Sequence, residues 1–100
     1  MKMIITDFLF DGPHKTLKKI DNKPGVFVII SQLHEKFYLL DVDHSNNVKN
    51  AIKEHKRSKD WENYHKGLLR YAIHYKLKAE ERKKIEKKIR SKYKNIPCGE

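Results

Sequence analysis

Apolar side chains recur along the chain with two periods, and the switches between them mark its elements. Met3–Phe10 alternates Ile4, Phe8 and Phe10 with polar Thr6, Asp7 and Asp11 nearby, the pattern of a strand or extended arm. Asp11-Gly12-Pro13 breaks it, and Pro13 suits the first position of a short helix through Leu17 and Ile20. After the turn cluster Asp21–Gly25, Val26–Ile30 is β-branched and aromatic and predicts a strand. Ser31–Lys36 is a polar link of hairpin length, so Phe37–Asp43 is expected to return antiparallel. Ser45-Asn46-Asn47 offers helix caps, and Val48, Ala51, Ile52 and His55 then fall on one helical face. Lys56–Lys66 reads as a polar loop with a helical turn, Leu68–Tyr75 as a strand, and Ala79–Lys94 as a helix.

The order strand, strand, helix, strand, helix predicts one α+β domain over residues 1–100. Its expected sheet is small, mainly antiparallel and three-stranded, flanked by helices, with residues 1–23 as an arm and short helix. On the last helix, setting Ile85 at 0° places Ile89 near about 40°, Arg82 near about 60° and Glu86 near about 100°. Two charged side chains therefore share the apolar face. Either they pair at the edge of the core, or Glu86 is a carboxylate held toward a cleft, ready for a metal or an oxyanion-handling partner.

Charge sharpens this picture. The chain has 23 Lys and Arg against 13 Asp and Glu, a net +10, and residues 51–100 hold sixteen of the former and seven of the latter. A one-sided basic field attracts polyanions, nucleic acid foremost, although Lys-rich helices also carry charge simply to stay solvated. His55–Lys66 interleaves basic residues with Trp61 and Tyr64, a mixture suited to phosphate contacts and base stacking. Lys56, Arg57, Lys59, Lys83, Lys87 and Arg90 are the candidate phosphate contacts, with Trp61 as the stacker.

Other chemistries find little footing. The apolar runs are far shorter than the roughly 20 residues of a membrane span, and the N-terminus lacks a cleavable leader pattern, so a cytoplasmic protein with no membrane partner is expected. Cys98 is the only cysteine, and six scattered histidines show no zinc spacing.

Pro24-Gly25-Val26-Phe27, Asp41-Val42-Asp43, Ser45–His55 and Ile85–Cys98 resemble, in order and spacing, the signatures of the GIY-YIG nuclease superfamily. The likeness runs over residues 24–98. It implies a metal-dependent nuclease fold in which Glu86 matches the metal-binding glutamate and His55 the helix histidine, the two candidate catalytic residues. Phe27 and Asp41, however, stand at the signature tyrosines, Asp43 at the glycine and Ala51 at the arginine. Losing one preorganised charge-stabilising contact typically costs about 10²–10³-fold in rate. The resemblance therefore implies a nucleic-acid-binding or accessory domain without the family's cutting activity. A divergent metal-dependent endonuclease and an interaction module for an acidic partner stay open as alternatives. Asp41 and Asp43, two apart on a strand, point to one side. With Glu86 they would form a hard-cation site of the Mg²⁺ or Mn²⁺ kind.

Overall fold

A computed structural model describes residues 1–64 and 67–99. Along the chain it has strands β1 (Lys2–Ile5), β2 (Phe8–His14), β3 (Gly25–Leu33) and β4 (Lys36–Ser45), helices α1 (Val48–Lys53) and α2 (Ser58–Tyr64), strand β5 (Leu68–Tyr75) and helix α3 (Ala79–Lys92). The fold is α+β, with one antiparallel sheet in the order β1-β2-β5-β3-β4. No helix among the described residues is long and apolar enough to cross a membrane.

The sheet has five strands where three were expected, and the additional two come from the N-terminal arm. Ile5 pairs with Phe8 and Met3 with Phe10, so Thr6-Asp7 is a two-residue turn inside the stretch read as a single strand. Such a turn shifts the inward parity: Met3 and Ile5 point inward before it, Phe8 and Phe10 after it. Thr6 takes the left-handed conformation that opens the turn, at φ 59°. Ile4, counted as inward by the even-numbered alternation, is 72% exposed.

The expected short helix after Pro13 does not form. β2 instead continues through Gly12-Pro13 to His14 and pairs with β5 across an irregularity between Asp11 and His14. Gly12 lies at φ +139°, and a Cβ there would stand 2.7 Å from the Tyr71 carbonyl oxygen, so the bulge demands glycine. Ile20 is buried all the same, carried into the core by an irregular loop.

β3 is buried on both faces, which is why its sequence is a continuous apolar run. Val26, Val28 and Ile30 pack with Ile85 and Ile89 of α3, while Phe27 and Ile29 pack with Val48, Ile52 and Trp61 of α1 and α2. Gly25, the glycine of the Pro-Gly motif, lets β3 approach β5: a Cβ would meet the His74 carbonyl oxygen at 2.8 Å. α1 is not capped by Asn47, whose side chain makes no cap bond. The loop before β3 does this work, with the Asn50 amide donating to Asn22 Oδ1 at 3.1 Å and the Val48 amide to the Lys23 carbonyl at 3.0 Å.

Candidate functional site

β4 is an edge strand, and the layers on the two faces of the sheet meet around that edge. A β-bulge where Ile29 pairs with Asp41 and Ile30 with Leu39 brings Asp41 inward. Asp41 is fully buried. It accepts from Arg57 Nε at 2.8 Å and Nη2 at 3.2 Å, from Arg90 Nη2 at 2.9 Å, from Trp61 Nε1 at 2.8 Å and from the Val42 amide at 2.8 Å. Arg57 reaches it from the segment leading into α2 and Arg90 from α3, so a single carboxylate is clamped from both faces.

The same groups close the strand edge. The Leu40 carbonyl accepts the Cys98 amide at 3.0 Å, and the Val42 carbonyl accepts Arg90 Nη2 at 2.7 Å. The Val42 and His44 amides donate to the side chains of Asp41 and Asp43. Backbone groups that an edge strand ordinarily leaves open are thus occupied from within the chain.

Asp43 lies on the Arg57 side, as the two-residue spacing from Asp41 predicts. His55 and Asp43 approach at 2.9 Å, and Arg57 Nη2 donates to the same carboxylate oxygen at 3.3 Å. The Arg57 backbone amide donates to His55 Nδ1 at 3.1 Å, which leaves Nε2 as the protonated nitrogen that donates to Asp43. Burial alone would raise the pKa of Asp43. The His55 hydrogen bond, the His44 amide and the Arg57 charge outweigh it and hold the carboxyl below its ordinary value. Burial would likewise lower Arg57, but Asp41 and Asp43 overcome it and raise its pKa.

Glu86 projects from α3 on the other side of the edge. Arg90 Nε donates to its Oε2 at 3.4 Å, and His44 Nε2 lies 3.7 Å from its Oε1. The expected Arg82–Glu86 pairing is replaced by this one. Arg82 is itself buried and donates to the Lys76 and Leu77 carbonyls and to Asn46 Oδ1, tying the start of α3 to the turn before α1. Burial, joined by the negative charge of Asp43, pushes the pKa of Glu86 up, and His44 and Arg90 offset this only in part.

A pKa raised by folding contributes stability that is present below the ordinary value of 4.5 and lost as pH rises through the folded one. Glu86→Gln carries no charge to bury, so it should melt at a higher temperature than the parent at about pH 7 and together with it at about pH 4. Melting curves at the two pH values check this, and an equal gain at both would contradict it.

The residues singled out in the sequence therefore separate. Phe27 is fully buried, its ring 5.8 Å from that of His55. Ala51 packs against the same core. The His55 side chain is 7% exposed and faces Asp43, so it positions that carboxylate and does not meet solvent. Trp61, expected to stack on bases, is 3% exposed and offers no open face; it anchors α2 on Asp41. Arg57 and Arg90, expected on phosphates, spend their guanidinium groups on carboxylates. Lys56 just before α2 and Lys59 on it are exposed. His65 and Lys66 of the same basic and aromatic stretch lie outside the described residues.

Lys83 and Lys87 do share a groove. With His44, Glu86 and Arg90 they line a depression of about 390 Å³ between α3 and the end of β4. The predicted carboxylate trio for a cation is also revised. Asp41 is sealed, whereas ligand atoms of Asp43, His44 and Glu86 all lie within 4.8 Å of one another. Two carboxylates and an imidazole suit a divalent cation, but Asp43 is already held by His55 and Arg57, and Glu86 by Arg90. His44 is the groove residue that periodicity missed. It neighbours Asp43 in sequence, and only the pairing of β4 with α3 gives it a role. Compared with protein-family models, with curated proteins and with solved structures, the chain matches none.

Proposed function

We propose that this chain is a nucleic-acid-binding domain that holds a phosphate backbone in the groove between α3 and β4, without the cutting chemistry of the GIY-YIG family that its motifs resemble. The observation that carries this reading is the groove itself, where Lys83 and Lys87 converge beside His44, while the Arg90 guanidinium in its wall is held by Asp41 and Glu86. Apart from His44, the residues lining it come from the half of the chain that holds sixteen of the 23 Lys and Arg. Lys83 and Lys87 are exposed, and their ammonium groups are point charges suited to phosphate oxygens. The order of elements from Gly25 onward, with Glu86 on the last helix, supports the family-like reading of the fold. Phe27, Asp41 and Ala51 support binding without cleavage, because all three are built into the core or its closed edge.

Fluorescence anisotropy of a labelled oligonucleotide tests this. Binding is expected at about 50 mM salt and should weaken steeply as salt rises, log affinity falling linearly with log salt. Glu86→Gln removes the negative charge from the groove and should tighten binding. Absence of binding at low salt, or binding without a salt slope, would overturn the proposal.

The Asp43, His44 and Glu86 grouping favours one second reading, a divalent-cation site serving phosphodiester cleavage. There Glu86→Gln acts in the opposite direction: it abolishes both Mn²⁺-dependent plasmid nicking and any rise in melting temperature with millimolar Mn²⁺. One substitution thus separates the two readings.

A further inference from the structure

α3 and β4 frame more than the lysine groove. β4 rises about 3.3 Å per residue, so Tyr38 lies about 20 Å along the strand from His44. There the surface changes character. Phe37, Tyr38 and Tyr93 are 45%, 48% and 38% exposed. They line a second groove, of about 320 Å³, together with Lys92 and Lys94. Across Tyr38 a neighbouring groove of about 420 Å³ opens toward Tyr64, which is 53% exposed. Aromatic rings half open to water beside ammonium groups match the two surfaces of an unpaired nucleotide, its flat base and its charged backbone.

Resting on the nucleic-acid reading above, we propose that the ligand is a single strand. Its bases stack on Phe37, Tyr38 and Tyr93, Lys92 and Lys94 hold the intervening phosphates, and the backbone continues into the groove of Lys83 and Lys87. A duplex keeps its bases inside the stack, so it engages the lysines alone. The aromatic groove then separates paired from unpaired strands. This is the stacking role that the sequence reading gave to Trp61, moved to residues that have open faces.

The test is anisotropy with labelled oligo(dT) and oligo(U) of about 20 nucleotides and with a duplex of the same length, for the parent, Tyr38→Leu and Tyr93→Ala. Single strands are expected to bind at least about tenfold more tightly than duplex, and each variant to lose about tenfold on single strands while keeping its duplex affinity. Unchanged melting temperature and Trp61 emission certify the fold, and Tyr38→Leu retains apolar bulk so that the groove keeps its shape. Preference for oligo(dT) or for oligo(U) reads the sugar and the thymine methyl together, and either result upholds the proposal. Equal binding of duplex and single strands, indifferent to both substitutions, would overturn stacking and leave the phosphate groove standing. No binding of any probe would overturn both.

Discussion

Asp41→Ala is expected to destabilise the domain by about 3–5 kcal/mol, the cost of removing one partner from a buried ion pair. The carboxylate is fully buried, and the Arg57 and Arg90 side chains that hold it are 19% and 14% exposed. Without it, the Trp61 indole N–H loses its acceptor and two guanidinium groups each lose one of theirs, in a place where water reaches them poorly. Asp41→Asn retains the shape but not the charge and should recover only part of the loss. Small domains have total stabilities of about 5–15 kcal/mol, so the alanine variant should lose a large share of its stability. Urea titration followed by emission of the chain's one tryptophan, itself bonded to Asp41, measures the effect at the right place. A loss below about 1 kcal/mol, the level of an exposed pair, would show that the clamp is not energetically buried.

The second large effect is expected on binding. Reversing Lys83 and Lys87 together to glutamate should weaken nucleic-acid affinity by about two orders of magnitude near 100 mM salt and reduce the salt slope by roughly two. Both side chains are exposed on α3, so melting temperature should hardly move. Lys56→Glu with Lys59→Glu is the matched comparison. It changes net charge by the same amount, but these lysines stand at the start of α2 and do not line the groove. Equal losses from the two pairs would mean that the ligand feels a diffuse field. A loss confined to the α3 pair locates the contact.

How much of this was legible in the sequence depended on whether the deciding signal was local. β3, β5 and α3 could be read because burial on both faces, strict alternation and helical spacing each leave a pattern within one element. The β1–β2 hairpin was misread because its only local mark is the change of inward parity across Thr6-Asp7, where neither turn residue is a glycine. α1 starts at one of the offered caps, Asn47, but its amides are met by Asn22 and Lys23, far upstream in the chain, which no local pattern shows. The site divided in the same way. Asp41 and Asp43 were correctly placed on one side, since strand spacing fixes that. That Asp41 is consumed by two arginines, and that His44 joins Glu86 across the edge, follows from long-range packing, which no spacing rule encodes. Trp61 illustrates the limit: basic neighbours suggested an exposed ring, while the acceptor that draws its N–H inward sits 20 residues earlier.

The closed edge of β4 also bears on how copies of this chain can meet. A sheet with two open edges can add strands at both ends and run on indefinitely. Here one end of the five-strand order is occupied from Leu40 to His44 by the Arg90 side chain, the Asp41 and Asp43 carboxylates and the Cys98 amide, and β1 at the other end pairs only with β2 among the described residues. Over that stretch a strand of a second copy meets groups that are already engaged, which disfavours joining there and leaves β1 as the more open edge. The arrangement that secures Asp41 thereby also guards half of β4 against added strands.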